Sequence, residues 1–254
     1  MPLDAAQVHY LRDVLRLRVG GKFVAVLPGG AEGPARLEPV GETLGARLIE
    51  LHPGAARPPV QVLLYAALLK HKGFELLLEK CTEVGAAEIV PVLTDRVVVE
   101  PRPERLAAQV ERWNRITEAA GRQCQSPSVP PVREPLEWPA ALAHWQAQGV
   151  PGIIFALPAE GPLPPLREVL SDLRGADRLA LFIGPEGDFT PAEVAAGLAA
   201  GLRPASLGDR VLRAETAAVV ATALVVYDLA ADRPTPPSAD LGHPSRGGRG
   251  LGEG

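Results

Sequence analysis

Only two cysteines, Cys81 and Cys124, occur in the 254 residues, and no spacing pattern links them. That argues against a disulfide scaffold and against a zinc site. Lysine is also scarce: Lys22, Lys70, Lys72 and Lys80 stand alone, so arginine carries most of the positive charge. A GC-rich genome accounts for that bias more simply than selection for phosphate contacts, although the guanidinium suits phosphate better. The formal net charge is -4. No overall cationic field therefore announces a nucleic-acid partner, and RNA binding has to rest on a local patch. The chain is polar by Asp4 and lacks an apolar segment after it, so no signal peptide is expected. No apolar run reaches the roughly 18 residues of a spanning helix, so no membrane partner is expected and a cytoplasmic location is. The dinucleotide fingerprint and the P-loop are both missing. No Cys–His, Ser–His or Glu-x-x-His constellation points to a nucleophile or a metal.

What remains divides in two. Residues 1–57 read as a small β-rich unit. Residues 9–17 start as a short helix with Leu11, Val14 and Leu15 at helical spacing, and Gly20-Gly21 ends it. Residues 22–27, 35–40 and 46–51 are strand candidates, and short turn-separated strands suggest a small barrel. Arg12, Arg16, Arg18 and Lys22 outnumber Asp4 and Asp13 here. That local excess is either a solvated helix face or an RNA-facing patch. Residues 52–59 carry His52-Pro53-Gly54 and Arg57-Pro58-Pro59, an extended linker.

From Val60 onwards the pattern is α/β. Residues 60–67 read as a buried strand, 72–84 as a helix closed by Gly85, and 88–93 as the next strand. A second amphipathic helix is expected over 103–120, then a loop to Pro131. Residues 152–156, 178–183 and 205–207 are further strand candidates. Thr190-Pro191-Ala192-Glu193 has the residue types of a helix start: Thr as N-cap, Pro at N1, Glu at N3. The last helix, 214–229, is apolar nearly all round and must be covered on every face, by a partner subunit or by a deep position in the chain. Residues 231–254, rich in Pro, Gly and Ser, read as a disordered tail.

Three strand ends thus deliver three loops, 157–160, 184–189 and 208–215. Strand, glycine turn, helix is how α/β proteins build ligand sites at the carboxyl ends of parallel strands. Gly184, Gly187 and Gly208 let backbone come close to a ligand, or are ordinary turns. Leu157, Ile183, Leu207 and Leu212 offer an apolar slot. A flat, partly apolar ligand read by backbone groups fits such loops, and adenine is one.

Four stretches carry a family resemblance over most of residues 9–230. His9-Tyr10-Leu11-Arg12-Asp13-Val14-Leu15-Arg16-Leu17 is the first, and Glu75-Leu76-Leu77-Leu78-Glu79-Lys80-Cys81-Thr82-Glu83-Val84-Gly85 the second. Gly184-Pro185-Glu186-Gly187 and Leu207-Gly208-Asp209-Arg210-Val211-Leu212-Arg213-Ala214-Glu215-Thr216-Ala217 follow in that order. Together they resemble the RsmE family of SPOUT-class RNA methyltransferases, which act on uracil N3 of 16S rRNA. The resemblance implies a PUA-like RNA-binding β-barrel over 1–57 and a trefoil-knotted α/β methyltransferase domain over 60–230. It implies S-adenosylmethionine as methyl donor with no metal, a homodimer through the knot region, and 16S rRNA in the 30S subunit as substrate.

Carried onto this chain, the cofactor would be held by Leu157, Ile183, Gly184, Glu186, Gly187, Leu207, Gly208, Arg210 and Leu212. Arg213 would hold a uracil oxygen or a neighbouring phosphate. Glu215 would be a base, or would serve the helix dipole. Arg12 and Arg16 would contact RNA backbone. Two stretches depart from the family pattern. Asp188 stands where a second glycine is usual, and it is expected to face solvent rather than the sulfonium. Residues 118–126 are altered, which leaves the roles of Arg122 and Gln123 open. The rivals are another SPOUT RNA methyltransferase and a non-catalytic RNA-binding factor of ribosome assembly.

Overall fold

The structure, a computed structural model, describes residues 1–27, 31–41, 43–51, 60–70, 72–98, 101–126, 128–157 and 161–230. The linker and the tail of the sequence reading lie outside the described residues.

The chain begins with α1 (Ala5–His9), which widens into a π-helical turn over Tyr10–Val14. Leu11 is the one buried residue of that turn. Three strands follow as an antiparallel meander: β1 (Lys22–Val26), β2 (Glu32–Val40) and β3 (Thr43–Leu48), in the order β1-β2-β3. Ala35, Leu37 and Ala46 are buried between them. The third strand starts earlier than its apolar residues suggest. The cause is the tight turn after β2, where Val40 pairs with Thr43 across Gly41 at φ 60. The chain start folds back onto this sheet, with the Met1 amino group donating to the Ala46 carbonyl at 2.9 Å.

The second unit is one six-stranded parallel sheet with helices on both faces. Its strands are β4 (Gln61–Ala67), β5 (Ala86–Leu93), β6 (Leu136–Glu137), β7 (Gly152–Phe155), β8 (Arg178–Ile183) and β9 (Arg203–Pro204). Their order is β6-β5-β4-β8-β7-β9. The chain builds outward from β4 to β6, crosses to β7, and then inserts β8 beside β4. The helices are α2 (Lys72–Glu83), α3 (Leu106–Gln123), α4 (Trp138–Gln148), α5 (Leu166–Ser171), α6 (Pro191–Ala199) and α7 (Ala214–Ala230).

Alternation along the strands feeds two cores. Val62, Leu64 and Ala66 face α2, α3, α5 and α7. Leu63 and Tyr65 face the other way, with Trp138, Leu142 and Trp145 of α4. Tyr65 stacks on Phe182 at 4.5 Å, and its hydroxyl hydrogen-bonds His144 Nδ1 at 2.8 Å. Burial pushes the Tyr65 phenol pKa up, and it pushes the Cys81 thiol up to about 12. Both groups are therefore neutral core fillers.

Several boundaries differ from those the sequence suggests. Helix α3 runs on through Gln123 rather than ending at Ala120. The edge strand is β9 at Arg203–Pro204, not 205–207, because Ser206 turns to bridge Pro165 instead. The sequence reading had no counterpart for α4, α5 or β6. The helix start at Thr190 does form as expected. Its hydroxyl accepts from the Glu193 amide at 3.3 Å and the Glu193 carboxylate accepts from the Thr190 amide at 2.7 Å. Helix α7 buries Ala218, Ala221, Thr222 and Val225 but leaves Leu224 44% and Tyr227 78% exposed. Among the described residues one face of it is uncovered, so a deep position in the chain does not supply all of the cover expected.

Candidate active site

Strands β4, β8 and β7 are parallel neighbours, so their carboxyl ends open on one edge of the sheet. Loop 184–189 leaves the middle strand of these three. It turns at once, with the Asp188 amide donating to the Pro185 carbonyl at 2.9 Å. Phe189 then anchors it, 4% exposed and packed on Trp138 at 4.9 Å.

Three neighbouring loops hold this turn in place. After β4, the Lys70 amide donates to Glu186 Oε1 at 3.1 Å. After β5, Arg96 Nη1 donates to the Gly187 carbonyl at 2.7 Å and to the Phe189 carbonyl at 3.4 Å. After β7, the Leu157 amide donates to Asp188 Oδ2 at 2.7 Å. Glu186 thus ties the loop to the one after β4. The expectation that Asp188 faces solvent is corrected: its carboxylate is bound between two strand ends. Arg96, Lys70 and Asp188 are the functional positions that sequence reasoning missed or misplaced. Arg96 carried one available signal, a polar residue just past the carboxyl end of a buried strand.

The glycines have separate causes. A Cβ at Gly184 would sit 3.1 Å from Asp188 Oδ1 and from the Phe189 ring, so a side chain there would press on both and make them give by a few tenths of an ångström. Gly208, at φ 117, faces open space. Its loop leaves β9 with Ser206 Oγ accepting from the Gly208 amide at 3.1 Å. Beyond it, among the described residues, no group accepts from the amides of residues 209–212. Leu207 packs against the core beside Ile183, and Leu212 is half-buried. Apolar side chains therefore lie beside free backbone donors, which is the donor set a purine ring requires.

Helix α7 starts at Ala214, with the Arg213 carbonyl accepting from the Ala217 amide at 2.8 Å. Arg210 and Arg213 are exposed and Glu215 is half-buried in the first turn. The side chain of none of the three has a hydrogen bond or ion pair among the described residues. The structure thus brings together Leu157, Ile183, Gly184, Glu186 and Gly187 by direct bonding or chain continuity. It places Leu207, Gly208, Arg210, Leu212, Arg213 and Glu215 on the loop and helix that follow the next strand but one. Ile183 and Leu207 share one hydrophobic cluster, and among the described residues no hydrogen bond joins the two sets.

The remaining sequence candidates lie elsewhere. Arg12 and Arg16 line a groove of ≈ 740 Å³ with Arg18 and Thr43 in the first unit. Gln123 lines a groove of ≈ 660 Å³ between α2 and α3, with Arg112, Arg115 and Lys80. Hydrogen bonds to Glu79 and Glu83 raise the Lys80 ammonium pKa. Arg122 reaches Glu118 at 3.9 Å. Among the described residues no cluster of His, Cys, Asp and Glu could hold a metal ion, and no helix is long and apolar enough to cross a membrane.

Comparison with known proteins places this arrangement. Residues 56–226 match the family model described as an RNA methyltransferase domain. The chain is 34% identical to the ribosomal RNA small subunit methyltransferase E of Synechocystis sp., over 88% of this chain and 71% of that protein. It is 26% identical to the Bacillus subtilis protein of the same name, over 89% of each. Among solved structures, a ribosomal RNA small subunit methyltransferase E from Neisseria gonorrhoeae, bound to S-adenosyl methionine, superposes with a TM-score of 0.75. That match has 25% sequence identity and covers 88% of this chain and 90% of the other. With the RNA methyltransferase domain and a relative of this similarity, the chain belongs to the ribosomal RNA small subunit methyltransferase E family.

Proposed function

We propose that this protein transfers a methyl group from S-adenosylmethionine to N3 of a uracil in the 16S rRNA of the small ribosomal subunit. The observation that carries the proposal is the pair of loops at the carboxyl edge of the sheet. One is clamped rigid by Lys70, Arg96 and Leu157, and the other offers free amides beside Leu207 and Leu212. Leu157, Ile183, residues 184–187, Leu207, Gly208, Arg210 and Leu212 would hold the cofactor between them. When bound, S-adenosylmethionine supplies a methyl already activated on a sulfonium.

The protein's own task is then to position the acceptor and manage one proton. The target nitrogen carries a hydrogen between two carbonyls and is mostly protonated at neutral pH. Arg213 is exposed and unpartnered, so its guanidinium is free to take a uracil oxygen or an adjoining phosphate. As negative charge grows on the imide, that contact strengthens. Glu215, one residue into α7 and equally unpartnered, is the candidate base for the imide proton. Arg210 fixes its loop or a phosphate. Arg12 and Arg16, with the groove they line, meet the RNA backbone.

Two larger features belong to the same proposal. Residues 60–230 form a trefoil knot and residues 1–57 a PUA-like barrel. A second copy of the chain covers the open face of α7, where Leu224 and Tyr227 are exposed. The direct test is turnover of Arg213→Ala on intact 30S subunits with labelled S-adenosylmethionine. A fall of about 100- to 1000-fold is expected for loss of a charge-stabilising donor. Unchanged turnover would remove Arg213 from the mechanism.

A further inference from the structure

The tie between Asp188 and Leu157 joins the loops after two paired strands, beyond their last rung. Strands β7 and β8 pair as far as Phe155 and Ile183. Beyond that rung the loop after β8 turns away, with the Asp188 amide donating to the Pro185 carbonyl. The Leu157 amide is left without a backbone acceptor, and an amide so placed needs another partner. The Asp188 carboxylate supplies it at 2.7 Å, the length of a charge-assisted bond. It reaches there only because Asp188 adopts φ 61, a left-handed conformation that most residues avoid and Asp tolerates. Asp188 Oδ1 lies over Gly184, 3.1 Å from where a Cβ would be. The same side chain thus spans from the first residue after β8 to the second after β7. A glycine at this position would accept the backbone but offer Leu157 nothing.

We infer that Asp188 is a positioning residue of the cofactor slot: its carboxylate locks the loop after β7 to the loop after β8, so that both walls of the slot are set together. The inference deepens the S-adenosylmethionine reading and rests on it. Arg96 and Lys70 fix the loop after β8 from the other side, towards β4 and β5. Without Asp188, no described hydrogen bond would tie Leu157 to that loop, and Leu157 is 54% exposed. The cofactor would then have to order that wall on binding.

Two variants separate the tie from the backbone strain. Asp188→Gly adopts the same φ without strain and removes the carboxylate. Asp188→Asn keeps both the tolerance for this conformation and an acceptor oxygen. In the full chain, exchange of the Leu157 amide is followed by NMR and S-adenosylmethionine affinity by calorimetry. In Asp188→Gly, Leu157 exchange is expected to quicken about tenfold and affinity to fall about fivefold, with both restored to within about twofold in Asp188→Asn. Unchanged Leu157 exchange in Asp188→Gly overturns the tie. Faster exchange with unchanged affinity overturns the positioning role. If the unsubstituted protein binds no S-adenosylmethionine, it is the functional reading that fails, and the positioning role with it. Amide exchange still decides the tie by itself.

Discussion

Arg96 is an exposed side chain that acts on the backbone of another loop. Its guanidinium holds the Gly187 and Phe189 carbonyls, 91 and 93 residues away in sequence. Because the contact is polar and solvent-facing, its loss should cost the fold little. Its loss should, however, free the turn proposed to carry the cofactor slot. Arg96→Ala is expected to weaken S-adenosylmethionine binding about tenfold by calorimetry, with a shift in thermal midpoint of no more than a few degrees. Lysine would not substitute well, since one planar group serves two carbonyls. The residue types of this site were legible in the sequence and their contacts were not. Glu186 and the glycines stand out in a short motif. Asp188 could not be oriented, because its partner Leu157 lies 31 residues earlier and is reached only once β7 and β8 are neighbours.

At the scale of elements, local chemistry was the readable part. The capping box at Thr190 and Glu193 forms as its residue types require. The second task of Glu193 is non-local: Oε1 also accepts from the Asp95 amide at 2.8 Å, and the side chain is 4% exposed. That carboxylate therefore starts α6 and closes the loop bearing Arg96. Glu193→Ala takes the acceptor from two amides at once, those of Asp95 and Thr190, so urea unfolding should show a loss of about 2–4 kcal/mol, against about 1 kcal/mol for Thr190→Ala. Equal losses would mean the Asp95 bond contributes nothing. Helix α4 was missed although Trp138, Ala141, Leu142 and Trp145 follow helical spacing, since Pro139 reads as a breaker until it is recognised as a first-turn proline. Strand β9 was displaced because two residues at a sheet edge carry almost no periodic signal.

The whole molecule joins a small antiparallel unit to a doubly covered parallel sheet, and its net charge of -4 leaves RNA binding to local patches. The α/β order of the second unit followed from the sequence. The crossing that puts β8 between β4 and β7 did not, since no local pattern encodes strand order. The groove of Arg12 and Arg16 is the patch expected to meet RNA. Replacing both with alanine should weaken 30S binding and flatten its dependence on salt by roughly 0.7–0.9 in log–log slope per lost phosphate contact. An unchanged slope would return that groove to an ordinary solvated surface. The open face of α7 belongs to this scale too: among the described residues nothing covers Tyr227 and Leu224, and a second copy is the cover proposed for them.

The most direct measurement is nucleoside mass spectrometry of 30S subunits from a strain lacking this protein, incubated with the purified chain and labelled S-adenosylmethionine. Labelled 3-methyluridine in the 16S rRNA is the expected product, and it would establish the donor, the acceptor atom and the substrate together. Label in a different nucleoside would contradict the uracil-N3 assignment, and no label from a protein that binds no S-adenosylmethionine would contradict the enzyme itself.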